Sequence, residues 1–582
     1  MNNTVQRKQI LIVLIILFLI IIFRLFQIQI LSGKRYFRLA EANRIRKVYT
    51  PAPRGRIYDK NNKIIADSRP SFAISVIPLE ADSQTIINLS NFAQIDYEGI
   101  RQWFNNIAYW RTPIKVKRNI DMPTVLKIEE NSKSLPGVSI EIEPIRTYPN
   151  GSAFAHVVGY LSGITPEEMK SDTYYRPWHY IGRNGIESQY EKFLRGKEGI
   201  RYSEIDAAGR EIGPIAEKRE VYPQAGNDIY LTIDTDIQNL AYELVSQYQR
   251  AAVVGLDVRD GSVICLVSYP GYDPEQISRG ISADQWQKLV KDKSSPFLNR
   301  ATLCTYAPGS TIKPLIALAG LESNTIDKFA RFNPCLGSFV YGNRTFKCLS
   351  KHFSLDLTDA IIYSCNVYFY QLGLRIGLNK LSSYLLQWGF NDKTDIDLLS
   401  DKKGNVPTEQ WLDDKYGKNK WTRGVVPNLA IGQGEILVTP LRLAMIYSAI
   451  ANQGEFYTPH LLKMIKDRDR VIQEHKPIKH KIPISQDNIK TVKDALFGVV
   501  EKGTGWAAQV YGVKIAGKTG TAENPPNPDH AWFVGYAPAD NPEIVFCVIV
   551  ENVGKGGVIA APIVQQLMSK YFELKNTATN NE

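Results

Sequence analysis

Three short stretches of the chain place serine, lysine and asparagine at spacings that suit acyl transfer. In "YAPGSTIKP", Ser310 and Lys313 form a Ser-x-x-Lys pair. The turn at Pro308-Gly309 and the run "STIKPLIALAGLE" predict a helix beginning at Ser310. Residues three apart share a helix face, so the Lys313 amine can reach the Ser310 hydroxyl. A serine hydroxyl becomes a competent nucleophile when a neighbouring base takes its proton, and a lysine of lowered pKa is such a base. The helix start adds N–H groups and a positive dipole end where negative charge develops. Pro314 is tolerated because a first-turn N–H has no partner to lose. About fifty residues on stands Ser364-Cys365-Asn366, a Ser-x-Asn triplet with cysteine in the middle. A further stretch of about 150 residues leads to "KTGTAE". There Lys518 supplies a charge and Thr519 and Thr521 supply hydroxyls, a set suited to a carboxylate. Gly520 is expected to let a substrate approach the strand backbone. Alone, Ser310 would read as a helix N-cap. The order and spacing of all three stretches point to chemistry.

The cysteines raise a second question. Cys265, Cys304 and Cys547 sit in apolar runs and read as small core residues. Cys335, Cys348 and Cys365 instead accompany His352, with twelve, three and twelve residues between successive members. Two readings stand at this point. The four can complete a tetrahedral Cys₃His zinc set, or Cys335 and Cys348 can pair as a disulfide in an exported domain. In an extended stretch neighbouring side chains point to opposite sides. Ser364 and Asn366 would then face a substrate while Cys365 supports them from behind.

These residues need elements to hold them. At 582 residues the chain exceeds one core. Its 44% hydrophobic and 22% charged content is that of a folded protein. The net charge of +11 is spread among acids, and no nucleic-acid motif accompanies it, so it reads as a solvated basic surface. Residues 1–9 read as a cytoplasmic tail. Ile10 to Leu31 is an apolar run interrupted by Arg24, Gln27 and Gln29. It amounts to roughly 33 Å of helix if Arg24 snorkels. No small-residue cleavage site follows, which favours a retained transmembrane anchor over a removed signal peptide. Residues 32–225 read as a mixed α/β region, with strands in "RPSFAISVIP" and "GVSIEIEPI" and a helix in "ADSQTIINLSNFAQI". A boundary is expected near Gly226. Residues 226–575 alternate strands and helices around a hairpin at Asp260-Gly261, "NPPNPD" and "DKYGKNKWTRG" read as loops, and residues 576–582 are expected to be disordered. The fold class is α/β and multidomain.

The three catalytic stretches form the trio of penicillin-interacting enzymes, and the chain resembles the class B penicillin-binding proteins, most of all those of cell elongation. The likeness runs nearly end to end. "PAPRGRIYDKNNKIIA" resembles the opening of the family's pedestal through Arg54, Gly55, Ile57 and Asp59. "RTYPNGSAFAHVVGYLSGI" matches through Arg146, Tyr148, Gly151, His156, Gly159 and Tyr160, and "GRNGIESQYEKFLRGKEG" through Gly185, Glu187, Leu194 and Gly196. The family's Asp-Pro-Asn is here Asp273-Pro274-Glu275, and its Arg-Asn-Gly is replaced by "KNNK" near Asn61.

The resemblance implies a pedestal (dimerisation) domain and a transpeptidase domain whose antiparallel sheet is flanked by helices. It implies that Ser310 attacks the D-Ala-D-Ala end of a peptidoglycan stem peptide, with Lys313 as base and Ser364 as proton relay. Asn366, Lys518, Thr519, Gly520 and Thr521 would hold the substrate. β-Lactams would be covalent inhibitors. Some elongation-type members carry zinc in this region, which favours the metal reading for Cys335, Cys348, His352 and Cys365, and no organic cofactor is expected. The implied partners are a SEDS-type glycosyltransferase and an elongation-complex scaffold, with the catalytic domain outside the cytoplasm. A division-specific transpeptidase, a D,D-carboxypeptidase or β-lactam hydrolase, and an added scaffold role are the alternatives.

Overall fold

The structure, a computed structural model, describes residues 2–36, 45–98, 100–101, 113–176, 178–205, 211–215 and 219–580. The chain divides into two compact units. One comprises Met1–Arg54, Arg69–Ile145 and Arg195–Gly226; the other comprises Gly55–Ser68, Arg146–Leu194 and Asn227–Glu582.

In the first unit the apolar run forms a helix over Asn2–Phe26 that continues as a π-helical turn over Gln27–Leu31. Within Arg7–Leu31 the most apolar 18 residues have a mean hydropathy of 3.1 and none of them is buried, so the helix is long and apolar enough to cross a membrane. Arg24, which interrupts the apolar run, donates to Gln27 Oε1 at 2.6 Å. Strand Ile45–Thr50 pairs antiparallel with Gly199–Ile205, which pairs in turn with Glu211–Pro214. Helices Ser83–Ala93 and Met122–Glu130 are each capped by an aspartate, Asp82 and Asp121. They bury Leu89, Ala93, Val125 and Ile128 with Ile74 and Val76.

The second unit is organised by a five-stranded antiparallel sheet. Its order is Val263–Tyr269, Ala251–Asp257, Ile544–Val550, Asn527–Ala537 and Ala516–Asn524. The period of two sorts its side chains between two cores. Val253, Phe533, Phe546 and Val548 enter one, with Ala560, Val564 and Met568 of helix Gly556–Asn580. Val254, Trp532, Val534, Cys547 and Ile549 enter the other, with helices Lys313–Glu322, Pro440–Ala451 and Gln486–Glu501. A sheet covered on both faces needs strands apolar throughout, which is why "IVFCVIV" is buried at every position.

The tail expected to be disordered is helical to Asn580. Once the preceding turns are nucleated by burial of Leu567, Met568 and Tyr571, extension costs little per residue. Residues 581–582 lie outside the described residues. "NPPNPD" is a tight hairpin rather than a loop, since strand pairing continues to Asn524 opposite Asn527. The helix over Glu409–Tyr416 enters the stretch assigned to the loop "DKYGKNKWTRG".

Several residues shared with the family make buried ties within this unit. Asp59 is fully buried and accepts from the backbone of Asn61, Lys63 and Thr235. Asn62, in the "KNNK" departure, holds φ 64°, a conformation asparagine tolerates. Glu275, the other departure, accepts from the Tyr148 backbone N–H at 2.9 Å. Arg146 donates to Glu187 Oε1 at 2.6 Å and to the Gly55 carbonyl at 2.7 Å, with both charged side chains almost wholly buried. Removing one partner strands the other's charge. Arg146→Met should therefore destabilise this unit by about 3–5 kcal/mol, seen as a lowered denaturation midpoint. The double variant Arg146→Met/Glu187→Leu should recover most of that loss. An unchanged midpoint in the single variant would show that the pair contributes little.

Candidate active site and metal centre

Ser310 is the second residue of a 3₁₀ turn, Gly309–Ile312, that runs directly into helix Lys313–Glu322. The tighter turn replaces the expected continuous α-helix, and Pro314 falls at its tolerated place in the first turn. Gly309 holds φ 54°, and its amide donates to Gly432 O at 2.9 Å. A Cβ on Gly309 would lie 2.5 Å from the Thr521 carbonyl, so only glycine lets the serine turn meet the Lys518–Thr521 strand. The serine turn also approaches Gly520. A Cβ there would strike Thr311 Cγ2 and the Pro308 carbonyl, so the glycine makes room for that turn.

Lys313 is completely buried. Its Nζ donates to Ser364 O at 2.7 Å, Ser364 Oγ at 3.2 Å and Asn366 Oδ1 at 2.6 Å, which occupies all three ammonium protons. The Ser310 hydroxyl, half-buried, makes no hydrogen bond among the described residues, so the contact expected from the i, i+3 spacing is not formed. The Phe369 ring lies 5.4 Å from the same Nζ. Burial brings the Lys313 pKa down to about 8, against an upward pull from Cys348, Cys365 and Cys335. Lys518, also fully buried, is held well below the ordinary lysine range by desolvation and then by the Lys313 charge. Its Nζ donates to Thr519 O at 3.2 Å. Thr519 Oγ1 lies 2.8 Å from Thr504 Oγ1, and Thr521 Oγ1 accepts from the Gly556 amide at 3.5 Å.

The Ser-Cys-Asn triplet is not extended, as its alternation suggested. Ser364 is left-handed at φ 54°, Cys365 is the N-cap of helix Asn366–Ile376, and Asn366 is that helix's first residue. The turn nevertheless divides the three side chains as expected, Ser364 and Asn366 toward Lys313 and Cys365 toward the thiol cluster.

That cluster comprises Cys335, Cys348, His352 and Cys365, whose ligand atoms lie within 4.8 Å of one another. His352 Nδ1 is 3.6 Å from Cys335 Sγ and 3.5 Å from Cys348 Sγ. A tetrahedral zinc with ordinary bond lengths sets an S···N edge of about 3.6 Å. Ser350 Oγ lies 2.9 Å from His352 Nε2 and orients the ring from outside. A hydrogen bond from Cys365 holds the Cys348 thiol well below its ordinary range, while that bond and burial push Cys365 up. The Asn366 amide also donates to Cys348 Sγ at 3.3 Å. No disulfide joins any of the six cysteines, which leaves the metal reading with the better geometry. Cys265 and Cys547 are buried core residues as expected; Cys304 is half-buried.

Gln433 lies in "AIGQGEILVTPLRLA", a stretch that resembles one flanking the family's active site, although the residue itself carries no expectation. Its Nε2 donates to Thr521 O at 3.0 Å and its Oε1 accepts from the Glu523 amide at 3.2 Å. The signal was its place between two glycines in "IGQGE".

A buried lysine beside a serine turn, a Ser-x-Asn turn and a Lys-Thr-Gly strand define a serine acyltransferase of the penicillin-interacting kind. Two family models agree: the penicillin binding protein transpeptidase domain matches residues 251–569, and the penicillin-binding protein dimerisation domain matches residues 49–231. The chain belongs to the class B penicillin-binding proteins, closely related to the elongation transpeptidases. It is 32% identical over 573 residues to the peptidoglycan D,D-transpeptidase MrdA of Acinetobacter baumannii, covering 94% of this chain and 84% of that one. With MrdA of Escherichia coli K12 it shares 31% over 596 residues, covering 97% and 92%. The penicillin-binding protein PBP2 of Helicobacter pylori, solved in complex with MreC, superposes with a TM-score of 0.79 at 27% identity, covering 91% of this chain and 99% of that one.

Proposed function

We propose that this protein is a peptidoglycan D,D-transpeptidase of cell elongation in which Ser310 carries the acyl group. The chain is anchored by Arg7–Leu31, and its large folded part is extracytoplasmic. The observation behind the residue assignment is the buried Lys313 amine, bound to Ser364 and Asn366 one helical turn from Ser310. Once neutral, Lys313 has a lone pair and can take the Ser310 proton as the hydroxyl attacks the carbonyl between two terminal D-alanines. Backbone N–H groups of Ser310 and Thr521 receive the oxyanion. Ser364, within reach of Lys313, passes a proton to the departing D-alanine amine. Asn366 holds the peptide amide, and Lys518, Thr519 and Thr521 hold the terminal carboxylate, with Thr504 bracing Thr519. An amine of a second stem peptide then takes the acyl group and closes the crosslink.

Zinc is the metal whose ligand preferences match Cys335, Cys348, His352 and Cys365. Its contribution would be structural, fixing the turn that carries Ser364 and Asn366. A SEDS-type glycosyltransferase and an MreC-like scaffold are the partners we infer, supported by the likeness to the Helicobacter PBP2 solved with MreC. β-Lactams, as mimics of the D-Ala-D-Ala end, would be covalent inhibitors.

The full-length protein incubated with a penicillin should gain one adduct, mapped to the peptide containing Ser310. Because Lys313 acts as its free amine, the acylation rate should rise with pH through about 8 and level off above it. Burial sets this midpoint, opposed by Cys348, Cys365 and Cys335 of the neighbouring cluster. An adduct on another residue would end the assignment, and a rate independent of pH between 6 and 9 would remove Lys313 as the base.

A further inference from the structure

A cavity of about 760 Å³ lies beside the serine site, a volume in the range that small ligands occupy. One wall is the hairpin of strands Ser338–Tyr341 and Arg344–Lys347, which contributes Arg344 and Phe346. The other wall runs from helix Glu409–Tyr416 to Glu435 and contributes Tyr416, Arg423 and Asn428. Both walls end in the site. Lys347, next to Phe346, offers its carbonyl to Asn366 Nδ2 at 3.3 Å and to the Tyr370 hydroxyl at 2.9 Å. Gly434 lines the cavity, and the residue before it is Gln433, bonded to Thr521 and Glu523. Gly432 in turn receives the Gly309 amide. The walls of the cavity are therefore tied to the Asn366 and Thr521 side of the site.

Its charges are unevenly spent. Glu435 is already engaged by Lys415 at 2.6 Å and by the Tyr416 hydroxyl. Arg344 and Arg423 are exposed, and neither forms an ion pair among the described residues; Arg344 lies over the Phe346 ring at 5.0 Å. Two uncommitted guanidiniums over apolar walls suit a peptide that ends in a carboxylate. In the transpeptidase reading the donor carboxylate goes to Lys518, Thr519 and Thr521, which leaves Arg344 and Arg423 free for the carboxylate of a second peptide.

We propose that the cavity binds the acceptor stem peptide, with its carboxylate on Arg344 and Arg423 and its amine directed at acyl-Ser310. This rests on the transpeptidase reading above. In the step it serves, the lone pair of the acceptor amine attacks the acyl carbonyl and a C–N bond forms. The C–Oγ bond of Ser310 breaks, and the proton lost by nitrogen returns to Ser310 Oγ. Without an acceptor, water takes the same place and the acyl group is hydrolysed.

The test uses the full-length protein in detergent, a D-Ala-D-Ala pentapeptide donor, and an amine-bearing tetrapeptide acceptor with a free or an amidated C-terminus. Aminolysis and hydrolysis products are measured alongside the rate of penicillin acylation. For Arg344→Ala and Arg423→Ala the acceptor KM should rise about tenfold each. In the double variant the aminolysis-to-hydrolysis ratio should collapse, with the effect confined to the acceptor step and acylation continuing. Amidating the acceptor should cost the wild type a similar factor and the double variant little. Lys at either position should restore part of the ratio. A double variant with an unchanged ratio, or a wild type indifferent to amidation, overturns the proposal. A wild type that accepts no acyl group at all overturns the transpeptidase reading, and this one with it.

Discussion

Ser310→Ala abolishes covalent labelling by a fluorescent penicillin and leaves no crosslinking, because the bond-forming oxygen is gone. Lys313→Ala keeps that oxygen but loses the base, and its acylation rate should drop by about 10²–10⁴-fold. Lys313→Arg should be no better, since a guanidinium stays protonated at any usable pH. The contrast between the variants matters because Lys313 is fully buried and organises Ser364 and Asn366 through three hydrogen bonds. A merely structural lysine would lower the denaturation midpoint and leave the pH profile of the residual activity intact. A catalytic one removes the rise through about pH 8. Retained labelling of Ser310→Ala would sink the assignment, since no other serine of this chain stands in the same constellation.

The second large effect is expected at the thiol cluster. Protein purified without added metal should contain one zinc per chain, and Cys348→Ser or His352→Ala should lose it. Structural zinc binding is worth about 10–16 kcal/mol in small peptides, against about 2–4 kcal/mol for a disulfide. A large domain keeps only part of the former, yet enough to fix a turn. Cys365 sits between Ser364 and Asn366, and the Asn366 amide bonds to Cys348 Sγ. Loosening the cluster therefore displaces both groups that hold Lys313. A shift of about 1 Å costs on the order of a hundredfold in rate. Both variants should slow acylation by that order and melt earlier, although neither residue meets the substrate. A zinc-free, fully active enzyme with a Cys335–Cys348 disulfide in its peptide map would refute the metal centre.

What was legible in the sequence was chemistry carried by short-range spacing. Ser310 with Lys313, Ser364 with Asn366, and the Cys348 to His352 interval all declare themselves within a few residues. The hairpin at Asp260-Gly261 is legible in "AAVVGLDVRDGSVICLVS", whereas the antiparallel sheet as a whole follows only from the family resemblance. What stayed hidden depends on contacts between distant segments or on rare backbone states. Ser364 at φ 54° is not announced by its type, and so an extended triplet was expected where a helix N-terminus stands. Gln433 is an ordinary amide until the fold lays it along Thr521 and Glu523, about ninety residues away. Gly520 also makes room for the serine turn, from a segment some two hundred residues earlier, a contact that no local spacing announces. The helical tail was misjudged because composition describes its last turns and not the buried ones that nucleate them.

The strand that carries Lys518 to Thr521 lies at the end of the five-stranded sheet, with a partner on one side only among the described residues. An outermost strand is a template on which another extended chain can continue the sheet. Here Gln433 covers the Thr521 carbonyl and the Glu523 amide, which leaves only part of that edge open to another chain. A guest held this way is gripped by its main chain, and main chains are alike whatever the side chains. Such a grip is indifferent to which amino acids a given wall places in the middle of its peptides, and leaves that discrimination to surfaces beyond the sheet.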